Sequence, residues 1–397
     1  MKKILIVSHA LELGGAERSL IGLLDAIDKK KYKVDLFLLR HEGELFSFIP
    51  EGVNLLPEIP AYTVLARPMV QTLKEGHVLL TVARMYGKMK ASKYIKKYGH
   101  VDSGVPLEYS HKYTYRFMPE IQPDEMYDLA ISFLTPHYIV THKVHAKKKI
   151  AWIHTDYSKV QIDKKSELKM WSAYDKIISI SNDVTKTFLE VFPTLSTKID
   201  KIENIIPKKL IISQSKEFIP VEEMPDDSIK ILSIGRYCTA KNFDNVPKIC
   251  KYLVNRGLNV KWYLIGFGPD EKLIKEKIKT EHMEKSVIML GKKLNPYPYI
   301  CRCDLYVQPS RYEGKCVSVK EAQMLGKPVV ITNYATAGSQ LKDGVDGKIV
   351  PLDNKECAKM LAELLENVNE IQKYKKNCHE SNFSNTVEVQ KIYKMMV

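Results

Sequence analysis

The segment Arg311-Tyr312-Glu313-Gly314-Lys315-Cys316-Val317-Ser318-Val319-Lys320-Glu321-Ala322 sets two carboxylates eight residues apart, directly after the strand-like run Asp304-Leu305-Tyr306-Val307-Gln308. Gly314 lets backbone approach a ligand closely, and a helix starting near Lys315 offers the N–H groups of Lys315, Cys316 and Val317 to an anion. If the span between Glu313 and Glu321 is mostly helical, a rise of about 1.5 Å per residue sets them about 12 Å apart. That suits a ligand with hydroxyls at both ends and phosphates between. A nucleotide-sugar has this shape, with its hexose near Glu313, its diphosphate at the helix start and its ribose near Glu321. Cys316 reads as a small residue packed in a tight turn rather than a nucleophile.

Cations for a diphosphate lie upstream. Ser233-Ile234-Gly235-Arg236-Tyr237-Cys238-Thr239-Ala240-Lys241-Asn242 closes a strand-like run and leads into a helix. Arg236 and Lys241 therefore fall at the carboxyl end of a strand, where parallel sheets bind ligands. Each charged hydrogen bond there contributes about 1.5–3 kcal/mol. Ala151-Trp152-Ile153-His154 puts a histidine at another strand end, and Leu13-Gly14-Gly15-Ala16-Glu17 opens a helix with a glycine pair suited to phosphate. Neither Gly-x-Gly-x-x-Gly nor Gly-x-x-x-x-Gly-Lys-Ser/Thr occurs, which counts against dinucleotide and P-loop chemistry. No Asp-x-Asp and no His/Cys/carboxylate cluster with metal-ligand spacing is present, so no metal and no cofactor is expected.

These residues need strands and helices in alternation to hold them. Apolar runs at 3–8, 34–39, 128–133, 149–154 and 176–181 read as buried strands with helical patterns between most of them. The alternation restarts at 229–234, 260–265, 287–290, 304–308 and 328–332. Two such runs predict an α/β chain of two doubly wound Rossmann-like domains facing a central cleft. The boundaries predicted are 1–206 for an N-terminal domain and 207–228 for a linker carrying Pro207, Pro220 and Pro225. Residues 229–380 form a C-terminal nucleotide-sugar domain, and 381–397 a C-terminal helix that crosses back to the first domain.

At 397 residues, with 45% hydrophobic and 27% charged content, the chain has room for two globular cores. All seven cysteines lie in the second half without a Cys-x-x-Cys pair, which predicts free thiols in a reducing compartment. The apolar run after Met1-Lys2-Lys3 is too short for a signal-peptide core, and nothing approaches the roughly 18 apolar residues of a spanning helix. A cytoplasmic protein is expected. The net charge of +14 calls for an anionic partner. Arg84, Lys88, Lys90, Lys93, Lys96 and Lys97 crowd residues 84–97 just after Val78-Leu79-Leu80, a pattern that predicts an amphipathic basic helix on an anionic membrane surface. Modules for nucleic-acid binding are missing, so no nucleic-acid partner is expected.

Taken together, Gly14-Gly15-Ala16-Glu17, His154, Gly235-Arg236 with Lys241, Gly266-x-Gly268-Pro269, and Glu313-x7-Glu321 followed by Gly326-Lys327-Pro328-Val329-Val330 resemble the family-four retaining glycosyltransferases of the GT-B fold. The resemblance runs from the first strand to Gly344-Val345-Asp346-Gly347-Lys348 and is strongest over 229–350, while 60–125 match no pattern. It implies that Glu321 binds the ribose hydroxyls and Glu313 the hydroxyls of the donor sugar. Arg236 and Lys241 would hold the diphosphate, aided by Gly14, Gly15, Gly235, Gly266 and the amides after Gly314, and His154 would contact the transferred sugar. Two departures stand out: Lys315 replaces the aromatic residue often found after the Glu-Gly pair, and Asn242 stands where glycine is common.

The resemblance implies a hexosyltransferase (EC 2.4) that retains anomeric configuration without metal. Its donor would be a UDP-sugar, and its acceptor a glycan or lipid-linked hydroxyl at the inner membrane face in cell-surface polysaccharide synthesis. The alternative is another GT-B enzyme, a nucleotide-sugar epimerase or a sugar-phosphate-dependent synthase.

Overall fold

Residues Ile4–Ser8 are buried in an unbroken run, as a strand covered on both faces requires. The computed structural model describes residues 1–100, 103–134, 137–314, 316–381 and 383–396. Among them the chain divides into two units: Met1–Ile206 with Asn385–Val397, and Pro207–Ser384.

The first unit holds seven parallel strands: β1 Lys2–Ser8, β2 Tyr32–Leu38, β3 Val53–Leu55, β4 Tyr127–Ser132, β5 Ala146–Ile153, β6 Lys176–Ser179 and β7 Ile199–Lys201, in the order β3-β2-β1-β4-β5-β6-β7. The second holds six: β8 Ile229–Ile234, β9 Val260–Ile265, β10 Val287–Gly291, β11 Leu305–Gln308, β12 Val329–Thr332 and β13 Gly347–Val350, in the order β10-β9-β8-β11-β12-β13. Both are doubly wound Rossmann-like sheets, and every expected strand is present to within a few residues. Three strands carry no signal in the sequence: β3, β7 and β13. Each has three or four residues and lies at a sheet edge, so none shows a continuous apolar run.

One expected boundary differs from what the chain does. The stretch 207–228, expected as a linker, opens with a helix at Lys208–Gln214 and is fastened to the second unit. Asn295 Nδ2 donates to the Gln214 carbonyl at 2.8 Å, and Arg302 binds the Met224 carbonyl and the Asp226 carboxylate. Prolines signal a break in helix or strand, and here the broken stretch packs on the second unit instead of running as free chain. At the other end, the Val389–Lys394 helix belongs to the first unit. Tyr393 stacks on Tyr32 with ring centroids 4.3 Å apart, and its hydroxyl accepts from the Asp28 N–H at 2.8 Å.

The basic segment 84–97 lies in a single helix, Val78–Tyr98, but not as an amphipathic one. Its buried residues are Leu80, Thr81, Ala83, Gly87 and Ala91, and the small ones let the Val105–Thr114 helix pack close. A Cβ on Gly87 would lie 2.8 Å from the Tyr109 carbonyl oxygen. Exposed Val78, Val82, Met85 and Met89 share one solvent side with exposed Lys93 and Lys96, and exposed Lys88 and Lys90 flank Met89, so apolar and basic residues mix on the surface instead of forming opposite faces. Arg84 is turned inward, donating to the carbonyls of Val64 and Arg67 at 2.5 Å each.

Beneath these helices the first unit buries a polar network. Glu167 accepts from the Tyr157 hydroxyl at 2.7 Å and from Trp171 Nε1 at 3.3 Å. Burial first, with the nearby Glu108 carboxylate adding to it, pushes the Glu167 carboxyl up to about 7 from the ordinary 4.5. A carboxyl raised on folding stabilises the protein fully below its unfolded value, and that contribution is lost as pH rises through about 7. The isosteric Glu167→Gln substitution should therefore leave stability at pH 4.5 nearly unchanged and raise it at pH 8 by about 3 kcal/mol. Urea unfolding at the two pH values checks this, and equal stability of both proteins at pH 8 would contradict it.

Candidate active site

In the second sheet the strand order turns back between β8 and β11, so the loops leaving these two strands diverge at their carboxyl ends. Open α/β sheets bind ligands at that switch point. The loop after β8 carries Gly235, Arg236 and Lys241, and the loop after β11 carries Glu313 and Gly314. Lys241 and Glu313, 72 residues apart in sequence, meet there: Lys241 Nζ lies 2.5 Å from Glu313 Oε1 and 3.7 Å from Cys316 Sγ. Burial works against the Lys241 charge, and Cys316 and Glu313 outweigh it, holding the ammonium above its ordinary range. Arg236 is exposed and forms no ion pair with a described residue.

Glu313 is aimed by a relay running down β11. Tyr306 OH donates to Gln308 Oε1 at 2.9 Å, Gln308 Nε2 to Ser310 Oγ at 2.9 Å, and Ser310 Oγ to Glu313 Oε1 at 2.6 Å. Thr336 Oγ1 donates to the Glu313 carbonyl at 2.9 Å, and Arg311 binds Asp244 through both guanidinium nitrogens at 2.9 and 2.7 Å. The carboxylate is thus held from two loops, by Lys241 and Ser310, and its backbone carbonyl from a third, by Thr336.

The helix that follows is Val317–Met324, with Cys316 at its N-cap, so its first turn begins after Lys315 rather than at it. Lys315 itself lies outside the described residues. The Cys316 N–H, expected to face a phosphate, donates instead to Gln340 Oε1 at 3.0 Å. Burial and then Glu313 hold the Cys316 thiol above its usual value, consistent with a packed rather than a nucleophilic cysteine. Val317 opens the helix, and Gly314 is exposed with nothing within 4 Å of where a Cβ would stand. Glu321 is buried on the same helix and accepts from the Tyr297 hydroxyl at 2.9 Å.

The glycines of the β8 and β9 loops serve packing. A Cβ on Gly266, at φ +155°, would stand 1.9 Å from the Gly235 carbonyl oxygen, and one on Gly268, at φ +154°, 2.4 Å from that of Tyr237. Asn242 takes φ +61°, the left-handed conformation that asparagine tolerates best after glycine. Its presence where glycine is common keeps the same backbone turn.

In the first unit, His154 follows β5 and is enclosed beside Phe133, ring centroids 4.7 Å apart. Burial pushes its imidazole down to about 4, partly offset by a backbone hydrogen bond with Phe133, so it is neutral near pH 7. A second histidine went unnoticed in the sequence. His137 follows β4, hydrogen-bonds Ser132 Oγ through Nδ1 at 2.7 Å, and lines a cavity of about 40 Å³ with His154 and Trp152. His137 Nε2, Trp152 Nε1 and His154 Nε2 all lack a partner among the described residues. The space suits one water or one hydroxyl. The strand-end position that drew attention to His154 was equally available for His137. Gly14 caps the Gly15–Ala26 helix and Gly15 is open, but the Glu17 carboxylate folds over this helix start, 2.1 Å from where a Cβ on Gly14 would be. The positive helix end expected to meet phosphate is thus occupied by the chain's own carboxylate. Among the described residues no three His, Cys, Asp or Glu side chains are grouped to hold a metal ion.

Two switch-point sheets with these loops are the GT-B architecture, and residues 214–381 match the family of glycosyl transferases group 1. Over 303 residues the chain is 25% identical to an uncharacterized glycosyltransferase of Methanocaldococcus jannaschii, a stretch covering 66% of this chain and 73% of that one. It is 27% identical over 164 residues to the N-acetylgalactosamine-N,N'-diacetylbacillosaminyl-diphospho-undecaprenol 4-alpha-N-acetylgalactosaminyltransferase of Campylobacter jejuni, covering 39% of this chain and 44% of that enzyme. The fold is shared with Anabaena HepE, solved with UDP and glucose, at a TM-score of 0.67 and 16% identity over 100% of this chain and 99% of that one.

Proposed function

We propose that the protein is a retaining glycosyltransferase of the family-four type. It moves a hexose from a UDP-sugar to a hydroxyl of a membrane-associated glycan or lipid-linked acceptor, at the inner membrane face, in cell-surface polysaccharide synthesis. The observation that carries this reading is the meeting of Lys241 and Glu313 at the switch point of the second sheet, with open Gly314 beside them. The UDP and glucose bound to HepE support the donor, and the diphospho-undecaprenol acceptor named for the Campylobacter enzyme supports the lipid link. No helix among the described residues is long and apolar enough to cross a membrane, so contact with lipid is proposed through the surface of the Val78–Tyr98 helix.

In this mechanism Arg236 and Lys241 neutralise the diphosphate as it leaves, a preorganised electrostatic stabilisation that needs no metal. Lys241 exchanges Glu313 for phosphate, and the released carboxylate receives the hydroxyls of the donor sugar. Glu321 takes the ribose, and His154, neutral, contacts the transferred sugar. The acceptor oxygen bonds to the anomeric carbon as the bond from that carbon to the phosphate oxygen breaks. The acceptor proton passes to the leaving phosphate oxygen on the same face, so configuration is retained.

A thermal-shift panel of nucleoside diphosphates and their sugars, run with EDTA, should show selective stabilisation by UDP and one UDP-sugar. At 100 times the dissociation constant the gain is about 2.7 kcal/mol. Proton NMR of the first-formed product should show the anomeric configuration of the donor. An inverted product, or stabilisation abolished by EDTA, would refute the mechanism, and release of free sugar alone would favour an epimerase.

A further inference from the structure

The first unit contains a groove of about 540 Å³, within the range of small-molecule sites, between the Val78–Tyr98, Val105–Thr114, Tyr138–Lys143 and Lys164–Ser172 helices. One wall is apolar and open to solvent: Leu79, Val82 and Tyr86 from the first helix and Phe117 opposite, each more than two-fifths exposed. The other is aromatic, with the Tyr115 ring parallel to those of Tyr138 at 5.7 Å and His142 at 4.2 Å.

Three cations border this surface, Lys112, Arg116 and Lys169, and no carboxylate lines it. None of the three forms an ion pair with a described residue. Lys112 Nζ instead sits 4.7 Å from the Tyr109 ring centre and hydrogen-bonds Ser166, and Arg116 lies 6.0 Å from the Tyr115 ring. Of the acids behind it, Glu108 is buried under Tyr138 and Ser166, which both donate to it at 2.5 Å, and Asp163 accepts from the Tyr109 hydroxyl and the Ser166 N–H. A glycan would waste the apolar wall, and a bare anion would gain nothing from it. An amphiphile with one hydrocarbon chain and one anionic head satisfies both. Outside the groove, Val78, Met85 and Met89 continue the exposed apolar surface toward Lys93 and Lys96, the arrangement of a surface that meets anionic lipid.

We propose that this groove binds a single membrane lipid phosphate, its chain along Leu79, Val82 and Tyr86 and its phosphate on Lys112, Arg116 and Lys169. This extends the proposed lipid-linked acceptor, on which it rests, to a named place on the first unit.

The test is calorimetric titration of the whole protein with dodecyl phosphate below its micellar concentration. Dodecyl maltoside, the same chain with an uncharged head, and inorganic phosphate are the comparisons. One-to-one binding of dodecyl phosphate is expected, with both comparison ligands weaker by about tenfold or more. Val82→Trp, which fills the mouth, and Arg116→Glu with Lys169→Glu, which reverse the rim, should each weaken it by a similar factor. No saturable binding, equal binding of the maltoside, or binding unmoved by either variant would overturn the proposal. UDP-dependent thermal stabilisation of the same proteins shows that they are folded. Stabilisation by UDP without alkyl-phosphate binding removes the groove alone. Alkyl-phosphate binding as described without any nucleotide effect removes the transferase reading and leaves the groove.

Discussion

Lys241→Met should lower kcat/KM for sugar transfer by about 10²–10³-fold, the cost of removing one fixed charge from a developing anion. It should also destabilise the protein, by about 3 kcal/mol, because Glu313 loses its partner while staying mostly out of water, with Ser310 alone among the described residues to donate to it. The two effects separate in a double variant. Adding Glu313→Gln removes the stranded charge and keeps an oxygen for Ser310, so melting temperature recovers toward the parent. Activity does not recover, since the diphosphate still lacks its ammonium and the sugar now lacks its carboxylate. Thermal melts and initial rates on the three proteins decide the matter. Turnover within about threefold of the parent in Lys241→Met would remove this residue from the mechanism.

Gly266→Ala should cost about 3–5 kcal/mol, among the largest effects available to a single methyl group. The added carbon would stand 1.9 Å from the Gly235 carbonyl oxygen, which is backbone and cannot swing aside, at a φ that L side chains rarely adopt. Gly314→Ala provides the contrast: nothing lies within 4 Å, so stability should stay within about 0.5 kcal/mol. Any loss in Gly314→Ala should appear in donor affinity instead. Urea unfolding of both variants, with nucleotide titration of Gly314→Ala, checks the pair. Equal stabilities would show that the β8 and β9 loops can relax around a side chain.

The sheets were legible because strands buried on both faces must be apolar throughout, and runs such as Ile4–Val7 and Ile231–Leu232 have few other uses. The glycines at 235, 266 and 268 were legible as a cluster, but not their purpose: the sequence shows that a close approach exists and not whether a ligand or a neighbouring loop makes it. Glu313 and Lys241 were separately visible as charges at strand ends. Their pairing depends on the crossover that makes β8 and β11 neighbours, a long-range fact with no local signature. Gln340, which takes the Cys316 amide, was hidden for the same reason, whereas Glu17 is local to the first glycine loop and only its side-chain direction was hidden. The basic helix misled because its composition suggests opposite charged and apolar faces, whereas both kinds of residue share its solvent side.

The loops after β8 and β9 touch backbone to backbone. The Tyr237 N–H donates to the Phe267 carbonyl at 2.8 Å and the Asp270 N–H to the Tyr237 carbonyl at 3.0 Å, with glycine at each crossing. For anyone recombining this second domain between relatives, the heritable module is therefore the pair. A graft that imports residues 235–242 from one parent and keeps 266–270 from another joins two main chains never fitted to each other, where no side chain exists to absorb the mismatch. Chimeras with both segments from one parent should dominate the soluble members of a shuffled library, whichever sugar is selected.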